Sequence, residues 1–247
     1  MTASPLPEYS NSPVIEAVID VRVDYEMGAK DMRKLSGKLK KKYPNDKTIR
    51  EYGIPGVFDA NFIEQPPIHE QFMFSSHDQL DHVILAKSMM AVSRRAPYLG
   101  WELLHDQMAA VWKLWKSAAG TQPISRIATR HINRIDIPRK CGNPIKIEDF
   151  LSFKPEISPC EAEMLGFFMQ VTRRTNNPAW YATITLAPVL PMPLIGYVSI
   201  LLDIDVFRTD NIPVNDIDLL SVIAEAREIK NTVFQECITD TTRELYS

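Results

Sequence analysis

Cysteine is scarce in this chain: Cys141, Cys160 and Cys237 are the three in 247 residues, too few and too scattered for a disulfide framework. That usage fits a reducing cytosol better than secretion. Glycine is also sparse, at 9 residues, and no phosphate-binding glycine loop, Gly-x-Ser-x-Gly elbow or HExxH pair occurs. The largest motif-bearing enzyme classes are therefore set aside. Residues 1–12 contain neither a basic stretch nor an apolar run, which excludes a signal peptide there. Neither sign of charge dominates, with 28 Lys+Arg against 31 Asp+Glu and a pI near 6.0. A dedicated nucleic-acid binder would be basic, and no aromatic-interleaved RNA motif is present.

What is present is a folded composition, 45% hydrophobic and 24% charged, long enough for one large core or two small ones. Residues 180–202 lack charge altogether, the length of a membrane helix, but Pro188, Pro191, Pro193 and Gly196 interrupt it. The segment reads as two strands, 181–186 and 197–207, with a proline-rich connection, and no membrane partner is expected.

The element order is informative. Residues 15–25 alternate as a half-buried strand. Residues 31–43 place Met32, Leu35, Leu39 and Tyr43 at helical spacing, with Pro44 as a stop. Strand-like runs follow at 54–63, 71–75 and 83–93, the last two joined by the polar turn Ser76-His77-Asp78-Gln79. A helix then repeats Trp101, Leu104, Met108, Val111, Trp112 and Trp115, closed by Gly120. The order then restarts: a strand at 126–138, a short helical segment at 147–153, strands at 164–175, 180–186 and 197–207, and a helix from about residue 216 to 237. Counterparts such as Arg22 and Arg134, Gln71 and Tyr181, and Trp101 and Ile217 lie about 110 to 116 residues apart, the signature of an internal duplication. The expected fold is α+β, with two β-α-β-α halves, residues 1–122 and 123–247, packed as one unit. Each half contributes curved antiparallel sheet covered by helices on one face, an order shared with TATA-binding-protein and helix-grip folds.

The strand at 126–138 offers the first candidate site. Arg126, Arg130 and Arg134 repeat at a spacing of about 7 Å on one face and suit phosphate or carboxylate ligands. Cross-strand ion pairs to Asp20, Asp24, Asp203 or Asp205 are the competing reading. His131 and Asn133 share the other face with isoleucines, as hydrogen-bonded core groups or as part of a site. Tyr98 and Trp101 could line a pocket beneath the sheet or simply pack in the core. Between residues 28 and 50, nine basic residues face two acidic ones, and Lys34, Lys38, Lys41 and Lys42 form a candidate nucleic-acid surface or a solvated helix face. Residues 199–247 carry ten acidic residues against four basic ones. His69, Glu70, His77, Asp78, Asp81 and His82 match no metal signature and read as solvated turn residues. Glu228-Ile229-Lys230 has the Glu-x-Lys spacing of a nuclease site but falls in a helical segment, and reads as helix surface.

Three strings, Pro13-Val14-Ile15-Glu16-Ala17-Val18-Ile19, the run from Arg130 through Ile132, Asn133, Arg134, Ile135 and Asp136 to Pro138, and Phe234 followed by Ile238-Thr239-Asp240, resemble a sporadically distributed bacterial family of proteins about this long with no assigned function. The resemblance implies bacterial origin and patchy inheritance, as for mobile or defence-associated gene clusters, and carries no catalytic residues with it. The family more often has an aromatic residue at position 131, which makes histidine chemistry there less attractive. The expected function is a non-catalytic, cytoplasmic binding or interaction protein without a cofactor. It would recognise a small anionic ligand or a protein partner, with homo-oligomers among the options. One alternative is a nucleic-acid or nucleotide-binding accessory factor using the arginine strand and the lysine helix. Another is a metal- or histidine-dependent enzyme using His131 or the hairpin from His69 to His82.

Overall fold

In the computed structural model, the residues described are 9, 11–52, 68–139, 145–154, 166–189 and 194–246, with the side chains of 50–52, 68 and 69 excepted. The strand expected at 54–63, Cys141, Cys160, Pro191, Pro193 and the side chain of His69 lie outside that set. The elements in chain order are β1 (Val14–Val23), α1 (Ala29–Leu39), β2 (Asn45–Tyr52), β3 (Ile68–Ser75), β4 (Asp81–Ala86), β5 (Met89–Arg95) and α2 (Trp101–Ala119). Then follow β6 (Ile124–Pro138), β7 (Met169–Arg174), β8 (Tyr181–Pro188), β9 (Tyr197–Arg208), α3 (Asp216–Cys237) and α4 (Asp240–Glu244). The helical segment expected at 147–153 is a single 3-10 turn, Ile147–Asp149.

All nine described strands join one antiparallel sheet in the order β2-β3-β4-β5-β1-β6-β9-β8-β7. The order reads outward from a central pair, β1 against β6: β5 then β4 then β3 on one side, β9 then β8 then β7 on the other. β1 and β6 begin at Val14 and Ile124, 110 residues apart, and α2 and α3 begin 115 apart, at Trp101 and Asp216. The expected match of Gln71 with Tyr181 is displaced by one strand. By position in the sheet β8 answers to β4, which begins only 100 residues earlier at Asp81. The β4–β5 turn is the two residues 87 and 88, whereas eight residues, 189–196, separate β8 from β9, and that difference absorbs the offset.

Period-two alternation explains why the sheet has one helical side. On β1, Ala17, Ile19 and Val21 are buried while Glu16, Val18, Asp20 and Arg22 point the other way. α2 packs on β5 and β1, α3 packs on β6 and β9, and α1 packs on α2. The apolar stripes meet there: Leu104, Met108, Val111 and Trp115 from α2, Leu219, Ile223, Ala226 and Val233 from α3, and Ile127, Ile135, Leu202, Ile204 and Val206 from the sheet. Trp115 is wholly enclosed. Gly120 takes φ 73° to end α2, a conformation that favours glycine. The side chain of Asn215 accepts a hydrogen bond from the Asp218 backbone N–H and starts α3. The uncharged segment at 180–202 forms β8 and β9, and no described helix is long and apolar enough to cross a membrane.

Candidate functional site: the two faces of the central strand

β6 separates the candidate residues onto opposite sides of the sheet. Arg126, Arg130 and Arg134 occupy the side on which no described helix packs, with Asp203, Asp205 and Phe207 of β9 and Glu16, Asp20 and Arg22 of β1 around them. Each guanidinium there already holds a carboxylate. Arg126 bonds Asp20 through Nη1 and Asp205 Oδ2 through Nη2 at 2.6 Å. Arg130 forks onto Asp203, with Nε to Oδ1 at 2.9 Å and Nη2 to Oδ2 at 2.5 Å. Arg134 donates from Nε to Asp136 Oδ2 at 3.0 Å. Burial raises the Asp205 carboxyl above the ordinary range, the Arg126 charge opposes that rise, and Asp20 adds to it. A phosphate arriving here would meet Asp20, Asp136, Asp203 and Asp205 before it met an unoccupied arginine.

The rings on this face are engaged as well. Arg174 lies 5.2 Å over Tyr181, Tyr181 stacks on Phe207 at 5.5 Å, and Arg126 lies 4.9 Å over Phe207. The resulting row, Arg174, Tyr181, Phe207 and Arg126, crosses four strands from β7 to β6. Its ring faces are taken by neighbours, which leaves ring edges rather than stacking platforms for a base. The lysines of the nucleic-acid alternative are elsewhere. Lys34 and Lys38 lie on α1 and Lys41 and Lys42 just after it, on the helical side of the sheet. Lys38 Nζ donates to Ser117 Oγ at 2.8 Å, and Lys42 covers the Tyr43 ring. The sheet therefore lies between the lysines and the arginine row.

On the helical side, His131 and Asn133 are buried beside residues that close over them from α2 and α3. Asn133 Nδ2 donates to the backbone carbonyls of His131 at 3.2 Å and Leu202 at 3.0 Å, so it fastens β6 to β9. The His131 ring packs edge-on against Tyr98, with centroids 5.8 Å apart, and its buried Nδ1 has no hydrogen-bond partner. Tyr98 precedes α2, whose N-cap, Gly100, supplies no side-chain cap. Trp101, the first residue of α2, lies beneath the guanidinium of Arg227 at 5.7 Å and beside the ring of His105, also at 5.7 Å. Contacts from His105 to the Leu220 carbonyl and from Trp112 and Lys116 to Asp216 hold the two helices antiparallel. α3 consequently continues past the start of α2, and that overhang carries Arg227 and Lys230 over β6.

Lys230 corrects the reading of Glu228-Ile229-Lys230 as helix surface, because it is partly buried on the inner side of α3. The buried positions of α3 include 219, 223, 226, 233 and 237, a run of alternating four- and three-residue steps with one gap, and Lys230 fills the gap. A lysine on a core stripe was the available signal, masked because Ile229 next to it satisfies an apolar pattern equally well. Burial, and then the positive charge of Arg227, hold the Lys230 ammonium down at about 7, against a smaller opposing pull from Glu228. Burial likewise pushes His131 well below the usual histidine range, with Lys230 and Arg227 adding to the effect, and the ring is neutral at pH 7. The hydroxyl of Tyr98 is raised to about 12 by burial.

The remaining candidates do not converge. His77 and Asp78 sit on the β3–β4 turn, where Ser76 and the Leu80 N–H bind Asp78. Asp81 pairs with Arg94 at 3.0 Å, and His82, expected as a solvated turn residue, is instead buried on β4 with its Nδ1 2.8 Å from Ser75 Oγ. Among the described residues no three His, Cys, Asp or Glu side chains are arranged to hold a metal ion. The described cysteine, Cys237, is buried, and its thiol is pushed up to about 12. No family model matches the chain, and no curated protein matches it either.

Proposed function

We propose that this is a non-catalytic binding protein that takes its ligand where α3 overhangs the start of α2 above β6. One observation carries the reading: among the described residues the buried Nδ1 of His131 has no hydrogen-bond partner, and neither Tyr98, whose ring packs on it, nor Lys230, whose charge acts on it, has a side-chain hydrogen bond or ion pair, while Arg126, Arg130 and Arg134 on the opposite face are ion-paired. Unsatisfied polar groups in a partly buried setting are destabilising, and folds generally retain few of them. Groups left in this state suit a ligand that completes them. His131 has no carboxylate against its buried Nδ1 to orient the ring, and burial keeps it neutral, which fits recognition better than proton transfer.

Native mass spectrometry of the purified full chain, compared with its denatured mass, tests this. The expected result is a bound molecule, supplied by a metabolite extract if none co-purifies, that is lost in both Lys230→Met and His131→Phe. Carriage unchanged in both variants, or no molecule bound even from the extract, would overturn the reading.

A further inference from the structure

Resting on that reading, we infer that the place where α3 overhangs the start of α2 is an oxyanion site, in which Lys230, Arg227 and the hydroxyl of Tyr98 receive the carboxylate, sulfuryl or phosphoryl group of a small ligand.

The state of the donors points to that chemistry. Among the described residues, Lys230 has no carboxylate within 4.0 Å and no side-chain hydrogen bond, and the Tyr98 hydroxyl has none either. Arg227 has two carboxylates near Nη1, Glu228 at 3.6 Å and Glu102 at 3.7 Å, both farther than the 2.7–2.9 Å of a charge-assisted hydrogen bond. Those glutamates are 63% and 81% exposed and turn towards water, so the guanidinium retains donors. Elsewhere the protein treats its cations differently: Arg126, Arg130 and Arg134 each bond a carboxylate at 3.0 Å or less.

Two cations one helical turn apart, one of them on the core stripe, repel each other and lose hydration. A neutral ligand would leave that repulsion in place and a cation would worsen it, whereas an oxyanion offsets both terms. Two further features favour negative charge. The buried Nδ1 of His131 is unbonded and belongs to a ring that can carry its proton on either nitrogen. The 19-residue helix α2 begins beside these groups with Gly100 as its N-cap, so no capping side-chain oxygen occupies the positive end of its dipole, and the one acidic residue of its first turn, Glu102, lies out in solvent. The Trp101 ring under Arg227 and the Tyr98 ring against His131 give the remainder of the ligand an aromatic wall. The charges acting on Lys230 are Arg227 and Glu228 on α3, its own charge acts on His131 of β6, and Arg227 and Glu102 act on Tyr98 at the start of α2. With an ammonium that titrates at about 7, anion binding weakens as pH rises through and beyond that value.

Isothermal titration with sodium sulfate and with sodium acetate tests the inference, because neither anion changes protonation in the range used. The full chain is titrated at constant ionic strength beside Lys230→Met and Arg227→Gln, each first shown to unfold cooperatively in urea. One saturable site is expected in the wild type, at least about tenfold weaker in both variants, as loss of a charged partner implies. The wild-type site should also be weaker at about pH 9 than at about pH 6. Preference for sulfate would mark a phosphoryl or sulfuryl ligand, and preference for acetate a carboxylate; either supports the site. No saturable binding of either anion, or equal binding in wild type and variants, overturns it. If the anions fail while native mass spectrometry still shows a molecule lost in Lys230→Met, the oxyanion class falls and the binding site stands. If neither is seen, both fall.

Discussion

Replacing Lys230 by Met should stabilise the unliganded protein, the opposite of what most substitutions at a covered position do. A lysine held at about 7 instead of 10.5 carries a charge-burial penalty of roughly 5 kcal/mol at about 1.4 kcal/mol per pH unit. The partial exposure of the side chain and relaxation around it bring the expected gain to about 2 kcal/mol. The pH dependence separates this origin from better packing. Between about 7 and 10.5 the unfolded chain holds a proton that native Lys230 has lost, so wild-type stability rises with pH across that window. The gain of the variant is therefore complete below pH 7 and fades towards pH 10.5. Urea unfolding followed by tryptophan fluorescence at a series of pH values measures it. A variant less stable than wild type at pH 6, or a gain that does not change with pH, would refute the reasoning.

The ion-paired face yields a second pair of outcomes. Arg126→Met leaves Asp20 and Asp205 facing each other without their shared cation and should cost about 3 kcal/mol at pH 7, the loss shrinking in acid as Asp205 protonates. Arg130→Ala, whose side chain is 51% exposed, should cost no more than about 1 kcal/mol, and denaturant midpoints of the two variants measure the contrast. Asn215→Ala removes the cap of α3 and should lower stability by about 1 kcal/mol, while Asn215→Asp should restore most of it, as urea titration would show.

Much of the fold was legible because its elements follow clear periods. β1 and β6 alternate, α2 keeps an apolar stripe from Trp101 to Trp115, and Gly120 closes it as its backbone chemistry requires, whereas α1 ends at Leu39, short of the stop expected at Pro44. The five-residue α4 was not, because one turn of helix has too few residues to show a period, the segment read at 147–153 shrinks to the 3-10 turn Ile147–Asp149, and the run read as one strand at 83–93 is the β4–β5 hairpin. The competing roles of the arginine row were both visible in sequence. Register decided between them, since β9 brings Asp203 and Asp205 beside Arg130 and Arg126, a long-range pairing that spacing along β6 cannot reveal. His131, Tyr98 and Trp101 could be named one by one, but their meeting with Arg227 and Lys230 depends on how far α3 runs past the start of α2. That overhang follows from the antiparallel contacts of Asp216 with Trp112 and Lys116, which join residues about a hundred positions apart.

The most direct test of the central claim is where an anionic ligand is felt. Two-dimensional NMR of the full chain, resolving tryptophan indole and arginine Nε–H signals assigned by single substitutions, would be recorded during titration with sulfate at constant ionic strength. Saturable shifts are expected at Trp101 and Arg227, with Arg126 and Arg130 unmoved. Shifts confined to Arg126, Arg130 and Arg134, with Trp101 and Arg227 silent, would place recognition on the other face of the sheet and contradict it.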